Sequence, residues 1–301
     1  TYNRSHLLPR AVNDILNQTF SEFELIIVND GSTDDTQDYL NSIKDDRVVV
    51  ISKLNGGQAS ALNEGLNRTQ GKYVCFCDDD DLYLPDRLEK AVSYLDSHQN
   101  IDVAYSEFWV ETKDGKRFRH TYKEVEDHFF EWLFSKSFLY PNAVTLRRSA
   151  IGKTRFDEKI KIGNDYDFFL RLAAKGCKFA PIHSPSVIYY QHDQAMTANF
   201  EQMKDIVDLL NKNFAELNDQ IDEEWVPAVE SSIAFRTGQY HFWLKESTTA
   251  RNYFLKAISI QSTNLRPYAF LPFTFLPMGV FDFFISIYQM ITGRYYSKDC
   301  A

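Results

Sequence analysis

Over the first sixteen residues apolar pairs recur every four positions, at Leu7/Leu8, Ala11/Val12 and Ile15/Leu16. That spacing predicts an amphipathic helix, with Pro9 in the first turn, where a missing N–H is tolerated. The rhythm then shortens. Leu25 to Val28 form a brief apolar run that predicts a buried strand, and Asn29, Asp30, Gly31 and Ser32 supply a turn and a cap for the next helix. The unit repeats: "RVVVIS" predicts a strand, "NGGQASALNEGLN" a glycine-rich turn feeding a helix, "KYVCFC" a third strand and "PDRLEKAVSYL" another helix. Alternating strands and helices predict an α/β fold with a mostly parallel, Rossmann-like central sheet flanked by helices. Ligands of such sheets bind beyond the carboxyl ends of the strands, and Asp30 and Asp78 to Asp81 fall at those ends.

From about residue 101 the pattern changes. Asp114-Gly115 predicts a hairpin turn, "EDHFFEWLF" a helix, "NAVTLRRS" a strand and "GNDYDFFLRLAAKG" a helix, before two short strands ending at "VIYYQHDQAMT". The remainder, from about Phe200, reads as helical, and "GQYHFWLKESTTARNYFLKAISIQ" resembles a single tetratricopeptide-like helix pair. Between Arg266 and Arg294 the only charged residue is Asp282, in a segment rich in phenylalanine. Its length fits a bilayer, but Pro272, Pro277, Gly279 and Asp282 would interrupt a spanning helix. Peripheral membrane contact through 267–293 is the expectation, with ordinary packing or a subunit interface as the alternatives.

Composition narrows the function. The chain has 301 residues, 44% of them hydrophobic, which is room for a large α/β domain and a smaller unit. Lysine and arginine total 33 against 42 acids, a formal charge of -9 that argues against a nucleic-acid partner. Cys75, Cys77, Cys177 and Cys300 have the spacing of neither a disulfide framework nor a zinc site, and Cys75 and Cys77 read as core residues on one strand face. "TYNRSHLLPR" has no apolar leader, so a cytoplasmic location is expected.

The sharpest feature is "GKYVCFCDDDDLYLP", four aspartates directly after an apolar run. A solvated loop is the ordinary explanation of a charge run. Here the acids follow a strand expected to be buried, and a bound divalent cation would relieve their repulsion. Asp78 and Asp80, two apart, can face one direction, and hard carboxylate oxygens favour Mn²⁺ or Mg²⁺. Such a cation takes phosphate oxygens as its other ligands, which implies a diphosphate substrate.

With its neighbours this stretch resembles the family 2 glycosyltransferases of the GT-A fold. "TYNR", "ELIIVNDGSTDDT", "NGGQASALNEG", "GKYVCFCDDDDLYLPDRLE", "FDEKI" and "NDYDFFLRL" occur in that family's order. The resemblance implies a GT-A domain over 1–198, with a nucleotide-sugar half at 1–105 and an acceptor half at 106–198, followed by a helical region at 199–301. The family's first strand normally precedes "TYNR", so the chain is expected to lack it. The implied chemistry is inverting transfer of a sugar from a nucleotide diphosphate, a UDP-sugar foremost, to a hydroxyl on a saccharide or lipid-linked acceptor. Family analogy places it in polysaccharide or glycolipid assembly, cytoplasmic or peripheral on the inner face of the plasma membrane.

By the same resemblance Asp30 recognises the base, with Thr1, Tyr2 and Arg4 in the same pocket, and Asn55 and Gly57 contact the donor. Asp78 is the first acid of the D-x-D motif, Asp79 its variable middle, Asp80 the metal ligand and Asp81 an extra, supporting acid. His192 would contact the diphosphate or the metal. Asp165 becomes the general base, although without the family context it reads as a helix N-terminal acid stabilised by the dipole. Asn164 stands where glutamate is usual. Arg87 reads as an ion-pair partner on a helix face, and Arg171 as either a diphosphate ligand or a packing residue. Two other readings differ in class: a sugar-binding or scaffold protein that has lost turnover, and a prenyl-diphosphate site, which would need its acids on facing helices.

Overall fold

A computed structural model describes residues 1–112, 114–123, 125, 127–135, 139–190, 202–277, 280 and 283. The chain divides into two compact units, one of Thr1–Phe129 and Phe138–Gln191, the other of Phe130–Ser137 and His192–Ala301.

The first unit opens with helix α1 (Leu8–Leu16), which buries Leu8, Ala11, Val12 and Ile15, the inner members of the repeating pairs. Strand β1 (Leu25–Asn29), helix α2 (Thr36–Ser42) and strand β2 (Val48–Ser52) follow. β1 and β2 pair in parallel, from Leu25 with Val48 to Asn29 with Ser52. Leu8, Val12, Ile27 and Leu40 form a core beneath them. Each such side chain contributes roughly 1.5–3 kcal/mol by leaving water, so the turn after β1 starts from fixed ground. Thr1 adds one rung beside β1: its backbone nitrogen donates to the Val28 carbonyl at 2.9 Å, and its carbonyl accepts from the Asp30 N–H at 3.0 Å.

Next come α3 (Gln58–Arg68), β3 (Tyr73–Cys75), β4 (Leu82–Tyr83), α4 (Arg87–Ser97), β5 (Val103–Glu111) and β6 (Arg117–His120). They are followed by α5 (Phe129–Ser135), β7 (Val144–Arg147), α6 (Arg148–Ile151), α7 (Asn164–Ala174) and β8 (Phe179–Tyr190). Here the expectation of a mostly parallel, Rossmann-like sheet is overturned. The larger sheet runs in the order β3-β7-β5-β8-β4, with β6 paired to β5. β5 and β8 are parallel, whereas β3–β7, β5–β7, β5–β6 and β4–β8 are antiparallel. The sheet is mixed. Alternation of strand and helix specifies each element, but direction depends on which distant strand lies alongside, and β3 takes β7 as its neighbour. The predicted hairpin at Asp114-Gly115 does form between β5 and β6, with Gly115 at φ 78°.

The second unit is helical: α8 (Gln202–Leu217), α9 (Val226–Trp243), α10 (Ser247–Ile260) and α11 (Arg266–Phe270), with part of α5. α9 and α10 form the expected helix pair. They meet at Gly238, where a Cβ would lie 2.6 Å from the ring of the fully buried Phe254. Phe270, Leu271, Phe273 and Leu276 pack against this helix pair, while Phe275 is 62% exposed beneath the Arg251 guanidinium. The first part of the expected interfacial segment therefore packs on its own unit, and most of 278–293 lies outside the described residues. No helix among the described residues is long and apolar enough to cross a membrane.

Candidate functional site

Two acidic turns organise the first unit. After β1 the Asp30 carboxylate, buried, accepts hydrogen bonds from Lys53 Nζ (2.8 Å), Gly56 N–H (3.0 Å) and Gly57 N–H (2.8 Å). Burial alone would raise its pKa, but Lys53 and the two glycine N–H groups hold it below the ordinary value. Gly31, at φ 79°, is needed because a Cβ there would come within 2.7 Å of the Asn55 nitrogen. Asp30 thus ties down the loop that carries Asn55 and Gly57. Tyr2 is half exposed, and Leu54 in that loop is 90% exposed.

After β3 the chain leaves the sheet at Phe76 and turns through Asp78–Asp81. Carboxylate oxygens of Asp78, Asp80 and Asp81 lie within 4.8 Å of one another, so the three can hold a divalent cation. Arg4 Nη1 reaches Asp79 at 2.6 Å and Asp80 at 2.8 Å, Thr1 Oγ1 donates to Asp79 at 2.6 Å, and Arg10 Nη2 donates to the Asp80 carbonyl at 2.8 Å. Asp81 is buried and accepts from the Tyr140 hydroxyl and from Asn142 Nδ2. Asn142 also binds Asp78 through both ends of its amide: Asp78 N–H donates to Oδ1 at 3.0 Å and Nδ2 donates to Asp78 Oδ2 at 2.9 Å. Burial, then the charges of Asp81 and Asp80, push Asp78 up to about 7. Burial pushes Asp81 up to about 6 against the hydrogen bonds it receives.

Asp165 lies in the first turn of α7, after Gly163 in the left-handed region at φ 78°. Its carboxylate accepts from the Tyr166 N–H at 2.8 Å, and burial pushes its pKa up to about 6. Asn164, buried beside it, donates to Gln58 Oε1 at 3.4 Å, which links the start of α7 to the start of α3, next to the Asp30 loop. Asn63 strengthens that link through the Phe156 backbone and Glu158.

The structure therefore groups Thr1, Arg4 and Asp78–Asp81 in one cluster and Asp30, Asn55 and Gly57 in another, with Asp165 at a helix start tied to α3. His192 lies outside the described residues. Two expectations change, those for Arg87 and Cys77. Arg87 is 2% exposed and makes no helix-face ion pair among the described residues; its Nε and Nη2 donate to the Asn142 carbonyl at 3.0 and 2.6 Å. Arg171, read as either a diphosphate ligand or a packing residue, is paired with Asp167 at 2.7 Å and bound to the Arg155 carbonyl. Cys77 is exposed rather than part of the core, whereas Cys75 is half-buried and touches Thr145 Oγ1 at 3.1 Å. Sequence reading missed Lys53, Tyr140 and Asn142.

The first unit is an α/β frame with carboxylates clustered at a strand end, able to hold a cation. The family model described as Glycosyl transferase family 2 matches residues 1–155, and the chain belongs to that family. An uncharacterized glycosyltransferase of Methanocaldococcus jannaschii is 30% identical over 192 residues, covering 60% of this chain and 64% of that protein. The chondroitin synthase of Pasteurella multocida is 31% identical over 177 residues, covering 58% of this chain and 18% of that protein. Among solved structures, residues 1–349 of S. aureus TarS in complex with UDP-GlcNAc align with a TM-score of 0.66 at 17% identity, over 100% of this chain and 92% of that one. A mannosyltransferase from Pyrobaculum calidifontis in complex with GDP-Man and Mn²⁺ aligns with a TM-score of 0.57 at 18% identity, over 98% of this chain and 81% of that one. At these identities the structural likeness is one of fold.

Proposed function

We propose that the protein is a metal-dependent inverting glycosyltransferase that moves a sugar from a nucleotide diphosphate to a hydroxyl acceptor. The observation that carries the reading is the cluster of Asp78, Asp80 and Asp81, with ligand atoms within 4.8 Å, inside the stretch matched by the family. Asp80, with Asp78, would hold Mn²⁺ or Mg²⁺, which when bound would offset charge on the departing nucleoside diphosphate. Arg4 stands at the same acids and adds a second positive charge on the donor side. Thr1, Tyr2, Asn55 and Gly57 line the nucleotide pocket, and Asp30 holds the Asn55–Gly57 loop there. Asp165 takes the proton from the acceptor hydroxyl; a pKa of about 6 keeps it ionised at neutral pH yet makes it more basic than an ordinary aspartate. UDP-sugars are the foremost donor class and saccharide or lipid-linked hydroxyls the acceptors, in line with UDP-GlcNAc in the TarS complex and with the relative named chondroitin synthase.

Calorimetric titration of UDP and GDP, with and without Mn²⁺, into the wild type and Asp80→Ala tests this. Metal-dependent binding that disappears in the variant is the expected result. Nucleotide and metal binding with neither transfer nor donor hydrolysis would favour a binding or scaffold role instead. No nucleotide binding under either metal condition would remove the donor and, with it, the reading.

A further inference from the structure

Asn142 lies in a short turn, Pro141–Ala143, just before β7, and is 1% exposed. An amide there could satisfy itself on the neighbouring backbone. Instead its side chain is spent entirely on the acidic cluster. Oδ1 accepts the Asp78 N–H at 3.0 Å, while Nδ2 donates to Asp78 Oδ2 at 2.9 Å and to Asp81 Oδ2, with the Tyr140 hydroxyl oxygen 3.3 Å away. A carboxamide nitrogen carries two hydrogens, and the two carboxylates take both. Only one amide orientation meets an N–H at one end and two carboxylate oxygens at the other, so these contacts fix the flip of Asn142. Each carboxylate is gripped by Oδ2, a mode of support that leaves a carboxylate capacity for a cation on its other oxygen.

The support is itself anchored. The buried Arg87 guanidinium holds the Asn142 carbonyl through Nε and Nη2 and reaches the Phe76 carbonyl at 3.2 Å. One side chain therefore joins the end of β3 to the turn before β7. Tyr140, whose hydroxyl donates to Asp81 Oδ2, is wedged against Phe108 and Tyr189 with ring centroids 4.7 and 5.3 Å away. Two repelling acids are thus held in place by donors that cannot swing away.

We infer that Asn142, aided by Tyr140, is the positioning residue of the cation site. It sets the rotamers of Asp78 and Asp81 before a metal arrives, so the metal does not have to order them. The inference rests on reading the acidic cluster as a cation site. Removing hydrogen-bond partners behind metal ligands costs about 10- to 100-fold in metal affinity.

The test is a Mn²⁺ titration followed by electron paramagnetic resonance, with and without UDP or GDP, on the wild type, Asn142→Ala, Tyr140→Phe and Ser232→Ala. Ser232 donates to the Ser135 carbonyl in the helical unit, and its loss controls for a buried hydrogen bond removed elsewhere. The expected result is Mn²⁺ affinity weakened at least about tenfold in Asn142→Ala and by a smaller factor in Tyr140→Phe, with broadened bound-Mn²⁺ lines and no change in Ser232→Ala. Affinity and line shape in folded Asn142→Ala that match the wild type overturn the inference. Should Asn142→Ala fail to fold, an unaltered spectrum and affinity in Tyr140→Phe overturn it equally. Wild-type protein that binds nucleotide but no Mn²⁺ removes the positioning role and leaves a metal-independent transferase standing, whereas binding of neither removes both.

Discussion

Two acidic turns, one after β1 and one after β3, look alike in sequence and behave in opposite ways. Asp30 faces a lysine and two glycine N–H groups, so its charge is matched and its pKa is held down. Asp78 and Asp81 face each other and Asp80, Arg4 is shared between Asp79 and Asp80, and burial, then the charges of Asp81 and Asp80, raise Asp78 to about 7. A carboxylate with matched donors needs no added cation. A cluster short of positive charge has room for a cation, which under the proposed function would complete it. The difference lies in what surrounds each acid, because both occur at the carboxyl end of a strand.

Asp165 sharpens the contrast as a third kind of acid, half-buried and bonded to the Tyr166 N–H, and it carries the largest expected effect. Asp165→Asn should lower the transfer rate about 10²- to 10⁴-fold, the usual worth of a general base, with UDP or GDP binding and Mn²⁺ binding intact. In the wild type the rate should rise with pH through about 6, as Asp165 loses its proton. A variant that retained full turnover would return Asp165 to the role of a helix-start acid, and a variant that lost nucleotide binding would make it part of the donor pocket.

A direct way to break the comparison is to treat Asp30 as if it belonged to the metal site. Asp30→Ala takes the acceptor from the Gly56 and Gly57 N–H groups and leaves Lys53 only the Leu54 carbonyl, and losing hydrogen bonds to a charged group in such a part-buried turn costs about 1.5–3 kcal/mol. Denaturant unfolding should show a loss of that order, with weaker nucleotide binding because the Asn55–Gly57 loop is no longer held. Mn²⁺ affinity without nucleotide should stay at the wild-type value. A fall in metal affinity would merge the two turns into one site.

How much of this was legible in the sequence follows the same division between local and distant causes. The helix of Leu8, Val12 and Ile15, the strand at Leu25–Asn29, the hairpin at Gly115 and the start of α7 are each set by neighbours a few residues apart, and all are found. Strand direction is not local: β3 lies antiparallel to β7, and nothing in "KYVCFC" encodes that partner. Asn142 is hidden for the same reason. In "NAVTLRRS" it reads as the first residue of a strand, and its importance comes from Asp78, 64 positions earlier in the chain. Arg87 looked like a surface residue because it opens a polar helix, yet the helix start points inward at two carbonyls. The four aspartates were legible because like charges that close in sequence are close in space whatever the fold.

The smallest predicted effect separates the two turns by the sign of a pH dependence. Asp30 has a folded pKa below its ordinary 3.8, so its contribution is present above that value and disappears as pH falls through the lowered one. Asp78 and Asp81 have folded values of about 7 and about 6 against the same ordinary 3.8. Between those values the folded chain binds more protons than the unfolded chain, so this cluster's contribution to stability declines as pH rises and levels off above 7. Thermal unfolding of the metal-free protein from pH 5 to pH 8 should therefore show a downward slope that Asp78→Asn flattens. Saturating Mn²⁺ should flatten it as well, because the cation replaces the protons that held the acids together. A wild-type slope that neither the substitution nor the metal alters would mean the cluster carries matched charge after all, and the contrast with Asp30 would vanish.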